Sequence, residues 1–397
     1  MAGALEGIRI LDFTQVYSGP FCTLLLRDLG AEVIKVERLG AGDSIRNDAP
    51  LTQGSESGTF IILNRGKKSI TVNLKSDKGR DICRELAKKM DVVVENFSPG
   101  TMDKLGLGSQ ELCQLNSKLI YASISAYGHA GPRRNDIGYD PVAQAMGGLT
   151  SVTGMPDGPP TKCAVAIADF SAGVFTALSI MAALMHRMKT GEGQTIDISL
   201  QDCVWLLTSI EFSPHYFING NVPQRWGNGH PAMVPGNLYP AKDGSVRIDT
   251  GTLSQVERLY RTMGREDLLG TPLCLNQKER VKYREQIDAS VTEWTKTKSA
   301  EEIVSKLKMA DVPCVKVPAF DEVCNDPQLL SREMIIEVEQ TVSGKVKTPG
   351  SVFKLSKTPG DATCPAPFLG EHNLEVYSSM LGYSEGEITD LADKGIV

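Results

Sequence analysis

The sequence predicts an α/β protein: a large doubly wound, Rossmann-like domain on a parallel sheet, and a smaller α+β domain. Three observations lead there. Through the first 125 residues, short apolar runs alternate with amphipathic stretches of helical length. Near residues 223–240 the texture turns rich in Gly and Pro, as at a boundary or a long loop. And 397 residues exceed what one core usually holds.

Each element follows from its own residues. Residues 7–13 read as a strand, 20–29 as a helix with Pro20 in its first turn and Gly30 as its stop, and 31–36 as the next strand. Residues 69–74 alternate apolar and polar like a half-buried strand. Residues 77–90 set Ile82, Leu86 and Met90 on one helical face, and 91–95 and 118–124 add two strands. A buried strand over 164–169 should lead into a long helix ending at Met188, then a strand at 195–199. Pro349, Pro359, Pro365 and Pro367 predict an extended, turning C-terminal segment. The expected boundaries are 1–224 for the large domain, 225–330 for the small one, and 331–397 for a segment returning to the large domain.

Hydrophobic residues at 41% and charged residues at 23% describe an ordinary globular chain. A formal charge of −6 argues against non-specific binding to nucleic acid or a membrane surface. The apolar stretch 170–185 is short for a membrane span and ends in His186-Arg187, so it reads as a buried helix. No basic start precedes a long apolar run, and the nine cysteines form no C-x-x-C pair. Reduced thiols, a cytoplasmic location and no disulfide framework are expected. Five histidines without an H-x-x-x-H pair predict no metal site.

Open α/β sheets bind ligands beyond the carboxyl ends of their strands. Here those ends bring residues 14–18, Arg38, Lys75, 96–98 and Ser125 towards one edge. Arg38 and Lys75 suit a phosphate-bearing ligand, or are solvated surface charges. The G-x-G-x-x-G fingerprint is missing: Ser18-Gly19-Pro20 follows the first strand, and the near-match at 227–232 lies in a loop. A dehydrogenase has no support. Asp169 lies between the expected strand and the long helix, where Asp serves as an N-cap, but a carboxylate is also a covalent nucleophile. Its small neighbours Ala168, Ser171, Ala172 and Gly173 leave room for a thioester. Position alone leaves both readings open.

Residues 11–20 (Leu-Asp-Phe-Thr-Gln-Val-Tyr-Ser-Gly-Pro) and 29–38 (Leu-Gly-Ala-Glu-Val-Ile-Lys-Val-Glu-Arg) resemble the class III CoA-transferases of the CaiB/BaiF type. So do 64–69, 94–100, 138–140, 190–194, 326–328 and 366–372, in the same order along nearly the whole chain. The resemblance implies a CoA-transferase without a tightly bound cofactor, acting on an acyl-CoA donor (succinyl-CoA is common in the family) and a carboxylic acid. It makes Asp169 the nucleophile, passing through an aspartyl anhydride and an aspartyl-CoA thioester, with backbone N–H groups of the small domain stabilising oxyanions. Val16, Tyr17 and Ser18 would line the CoA path, Arg38, Lys75 and Lys104 would serve its phosphates, and Val72, Asn73, Leu74, Asn96, Phe97 and Tyr139 would lie along the groove. Trp226, Asn228 and His230 are candidates to contact the acid, against a structural role in a Gly/Pro-rich loop. An interlocked homodimer, or pairing with a related subunit, is the implied assembly. Formyl-CoA transferase carries a run of glycines that this chain lacks. Racemases of the fold place a His where Tyr139 stands, and degenerate CoA-binding subunits lack the aspartate; both make transfer the preferred reading.

Overall fold

The structure is a computed structural model and describes residues 3–397. The described residues form two compact units, one of residues 3–149, 162–221 and 327–397, the other of 150–161 and 222–326. Residues 150–161, read from sequence with the large domain, therefore pack with the second unit.

The first unit is built on β1 (Arg9–Asp12), β2 (Glu32–Arg38), β3 (Lys68–Val72), β4 (Val92–Glu95), β5 (Ile120–Ser125) and β6 (Thr195–Ser199). All are parallel, in the order β3-β2-β1-β4-β5-β6. The order reverses between β1 and β4, so the crevice for a ligand opens at the carboxyl ends of those two strands. β4 and β5 are buried along their whole length, as parallel strands covered on both faces must be.

One face is covered by helices Asp77–Ala87 and Ser109–Leu115, through Ile82, Leu86 and Leu112. The other is covered by helices Ser18–Asp28, Ile167–Thr190 and Leu200–Asn219, through Cys22, Leu26, Ala172, Ile180 and Leu200. Helix Ile167–Thr190 is long and apolar enough by composition to cross a membrane, and half of its most apolar window packs inside the protein.

Two expectations are corrected. No strand forms over 164–169; the helix begins at Ile167, because Asp140 supplies a cap from elsewhere in the chain and lets the helix start earlier. The C-terminal segment is not merely an extended tail. It forms the hairpin β10 (Ile335–Gln340) and β11 (Gly344–Pro349), then helices Asn373–Leu381 and Glu385–Asp393. Val376, Tyr377, Ile388 and Leu391 complete the core on the first face, an apolar periodicity that the prolines mask. The second unit is a three-stranded antiparallel sheet, β7 (Gly236–Ala241), β8 (Gly244–Asp249) and β9 (Cys314–Lys316), packed on helices through Val246, Ile248, Leu259, Val291 and Ile303.

Beneath the carboxyl ends of β1 and β2 lies a fully buried charge network. Lys67 Nζ is 3.2 Å from Asp12 Oδ2 and also donates to Thr23 Oγ1, Asn64 Oδ1 and the Pro20 carbonyl. Lys35 Nζ is 2.9 Å from Asp43 Oδ2 and donates to the Thr14 carbonyl at 2.7 Å. Burial alone would raise the Asp12 carboxyl, but Lys67 and Lys35, with hydrogen bonds from Thr14 and Thr23, hold it below its ordinary value. Burial outweighs Asp12 at Lys67 and pulls its ammonium down to about 8. Removing one partner of such a pair strands the other in a low dielectric. Asp12→Ala should therefore cost about 3–5 kcal/mol of stability, read as a large fall in the melting temperature; a variant that melts with the wild type would refute the account.

Candidate active site

Loop 13–18 leaves β1 and meets the loop after β4 at one reciprocal pair of bonds. The Gln15 amide donates to Asn96 Oδ1 at 2.9 Å, and Asn96 Nδ2 donates to the Gln15 carbonyl at 2.8 Å. The switch point of the sheet is thus closed by a single carboxamide. Val16 has φ of 68°, a region costly for a β-branched residue, and its amide is held by Asp43 Oδ1 at 3.2 Å. The same Asp43 pairs with buried Lys35, so the network under the strands fixes the loop above them.

Two adjoining cavities open here, sharing Gln15 and Phe97. One, of about 510 Å³, is lined by Arg38, Val72, Asn73, Leu74 and Lys75. Arg38 and Lys75 are exposed and, among the described residues, neither pairs with a carboxylate, leaving two cations at its edge to meet an anion. The other, of about 310 Å³, is lined by Val16, Tyr17, Ser18, Asn96, Tyr139 and Asp169. Of the residues drawn from the resemblance, Lys104 lines neither; it ends the short helix Thr101–Lys104 and is exposed. Trp226, Asn228 and His230 belong to the second unit. Arg284 lies over the Trp226 ring at 5.0 Å and donates to the His230 carbonyl at 2.6 Å, and Arg247 donates to the Asn228 carbonyl, so this loop is firmly anchored.

Asp169 is the third residue of helix Ile167–Thr190, inside its first turn and not its N-cap, which is Ala166. The helix crosses helix Ser18–Asp28 closely at Gly173, where a Cβ would stand 2.8 Å from the Ser18 carbonyl and 2.9 Å from Phe21. That contact brings the two helix starts together. Phe170 packs edge-on to Phe21 and Tyr17, at 5.0 and 6.0 Å, which turns the neighbouring Asp169 towards the cavity. There the carboxyl is half-buried and receives a hydrogen bond from Ser18. Burial first and the Asp140 carboxylate second push it up to about 7, against the Ser18 bond. A carboxyl raised in this way and short of donors has the basicity and poor solvation that covalent catalysis by a carboxylate requires. His129 lines a different, smaller cavity with Glu95, so no imidazole faces Asp169 among the described residues.

Sequence reading missed Gln144 and gave no role of their own to Gln15, within the strand end 14–18, or to Asp140, within the motif 138–140. Gln15 acts through its backbone, and the i, i+4 spacing of Asp140 and Gln144 looks like any helical pair until the chain folds back on it.

A crevice at the carboxyl edge of a doubly wound sheet, edged with cations and adjoining a half-buried carboxyl, has the chemistry to take an anionic, phosphate-bearing ligand. Comparison with known proteins gives the family: the profile of CoA-transferase family III matches residues 5–373. The chain is 34% identical to a succinyl-CoA–D-citramalate CoA-transferase of Chloroflexus aurantiacus, over 99% of this chain and 98% of that one. It is 35% identical to a formyl-CoA:oxalate CoA-transferase of Rhodopseudomonas palustris, over 100% and 97%. A crystal structure of a CAIB/BAIF family protein from Brucella suis superposes with a TM-score of 0.86 at 32% identity, over 96% of this chain and 100% of that one. The chain belongs to CoA-transferase family III and is a CoA-transferase, with CoA thioesters as its substrates.

The Asp169 environment has a signature in stability. An unfolded Asp ionises near pH ~4, the folded one near about 7. Between those values the native state holds a proton the unfolded chain has released, so stability falls as pH rises through this window. Asp169→Asn should melt alongside the wild type near pH 4 and above it at pH 8. Equal melting temperatures at both pH values would mean that Asp169 is not desolvated.

Proposed function

We propose that this CoA-transferase works by covalent catalysis at Asp169, with succinyl-CoA as donor. The observation behind it is the half-buried, donor-poor Asp169 carboxyl facing the cavity beside the groove of Arg38 and Lys75. CoA phosphates meet Arg38 and Lys75, and the pantetheine arm follows Val72 to Leu74 and Phe97 towards Val16–Ser18.

Asp169 attacks the thioester carbonyl, expelling CoA thiolate and forming an aspartyl anhydride. The thiolate attacks the Asp169 carbonyl, releasing the donor acid and leaving an aspartyl-CoA thioester. The acceptor carboxylate then attacks this thioester, making a second anhydride and freeing the thiolate. Attack of the thiolate on the acceptor's acyl carbon forms the product and restores the Asp169 carboxylate. The energy of the thioester bond is kept at each exchange, so no ATP is consumed. Racemisation needs a base that moves a proton from carbon, and Tyr139 stands in the cavity where racemases of the fold carry an imidazole.

The chain is about equally similar to relatives named for succinyl-CoA and for formyl-CoA. The missing glycine run favours the former. Tyr17 in the cavity lining and the absence of that run favour an acceptor larger than oxalate, such as a dicarboxylic acid. The assembly we propose is a homodimer, because Val174, Leu178, Met185 and Met188 leave an exposed apolar stripe along helix Ile167–Thr190. Light scattering should give twice the chain mass at micromolar concentration, and a monomer would count against it. The nine free cysteines fit a reducing compartment.

The decisive experiment is incubation with succinyl-CoA and hydroxylamine, followed by peptide mass spectrometry. A hydroxamate should appear on Asp169 in the wild type, vanish in Asp169→Ala, and need roughly tenfold more donor in Arg38→Ala, the loss of one charge-assisted phosphate contact. A fully active Asp169→Ala enzyme would end the covalent reading.

A further inference from the structure

The approach to Asp169 is held by a polar clamp that the transfer reaction as described does not use. Asp140 is buried at the start of helix Asp140–Met146. Its Oδ1 accepts the Ala168 amide at 2.8 Å, and its Oδ2 accepts Gln144 Nε2 at 2.7 Å. Gln144 is fully buried one turn on. Its Oε1 accepts the Cys163 amide at 2.9 Å, and its Nε2 also reaches the Val165 carbonyl at 3.2 Å. Two side chains on one helix therefore fasten residues 163–168, the segment that delivers Asp169.

We propose that Asp140, seated by Gln144, is a positioning residue for CoA transfer: it fixes the start of the nucleophile's helix and withholds the Ala168 amide from Asp169. The proposal rests on Asp169 being the nucleophile. The physical case has two parts. The free amides of a helix's first turn are good donors to a carboxylate placed there, and they favour its ionised, weakly nucleophilic form. Asp140 occupies one of them, and the Ile167 amide turns to the Val165 carbonyl at 2.8 Å. Ser18 is left as the donor to Asp169. The second part is charge. The buried Asp140 carboxylate acts on Asp169 through space and raises its basicity.

The titratable side chains lining the same cavity are Tyr17, Asp136 and Tyr139, beside the Ser18 hydroxyl. Ser18 comes from the first helix and Tyr17 from its N-cap position, and Tyr139 and Asp136 come from the loop before Asp140. Of these, Asp136 is the second carboxyl. It lies in an exposed loop, so solvent screens it, whereas Asp140 is buried. The clamp is thus what separates this carboxyl from an ordinary surface Asp at a helix start.

The test compares Asp140→Asn, Gln144→Met and Asp169→Ala, with steady-state kinetics over pH 5–9 and the trapped hydroxamate fraction as the count of active enzyme. In Asp140→Asn the charge is lost and the amide faces Gln144 Nε2. Its kcat per active site should fall roughly 10–100-fold, the usual cost of a misplaced reacting group, with the donor KM within about twofold. Its acid limb in kcat/KM should move to lower pH. Gln144→Met keeps volume and the Asp140 charge but cuts the ties to 163 and 165, so kcat should fall several-fold with the limb in place. Wild-type kcat in both variants would overturn the proposal, as would an unmoved limb in Asp140→Asn. If that variant does not fold, wild-type kcat in Gln144→Met overturns it alone. A merely structural role lowers the melting temperature without shifting the limb. Should Asp169→Ala remain active, the nucleophile assignment itself is wrong; Asp169→Ala inactive with Asp140→Asn normal refutes only the clamp.

Discussion

Everything at the carboxyl edge of the sheet depends on the buried pairs Asp12–Lys67 and Lys35–Asp43. Charges taken out of water are unfavourable unless every lone pair and proton finds a partner. Here the partners are the loops themselves: the Thr14 and Pro20 carbonyls, and the Val16 amide through Asp43. The geometry that satisfies the charges therefore dictates where loop 13–18 runs. Without the network the strained φ at Val16 has nothing to hold it, and the crevice between β1 and β4 loses one wall.

On that edge the molecule sets two carboxylates with different tasks. Asp12 is surrounded by ammonium groups and hydroxyls and stays ionised, a brace with no access to ligand. Asp169 has one hydroxyl donor and a neighbouring carboxylate, so its ionised form is the strained one. The contrast comes from surroundings alone, since the side chains are chemically identical.

The parallel sheet was legible because β1, β2, β4 and β5 are short apolar runs spaced by helical stretches, a period that no turn chemistry obscures. The groove was legible for the same reason: strand ends converge wherever the topology is doubly wound, and Arg38 and Lys75 lie at two of them. Asp169 was half legible. Its place near a helix start could be read, but its protonation behaviour depends on Ser18 and Asp140, 151 and 29 positions away in the sequence. The segment 164–169 read as a strand because it is apolar, whereas its backbone is governed by Gln144 and Asp140 from a separate helix. The motif at 64–69 shows the opposite case. It is part of the family resemblance, yet Asn64, Arg65 and Lys67 are buried: Lys67 binds Asp12 and Asn64, and Arg65 binds Asp28, so its constraint is architectural.

The close crossing at Gly173 has a consequence for how fast this site responds. Ser18 and Asp169 sit on two helices in backbone contact, and neither belongs to a mobile loop. Their separation is set by the depth of one notch in a helix surface. The surroundings of the carboxyl are then set when the two helices pack, so the proposed mechanism needs no rearrangement of them in each turnover.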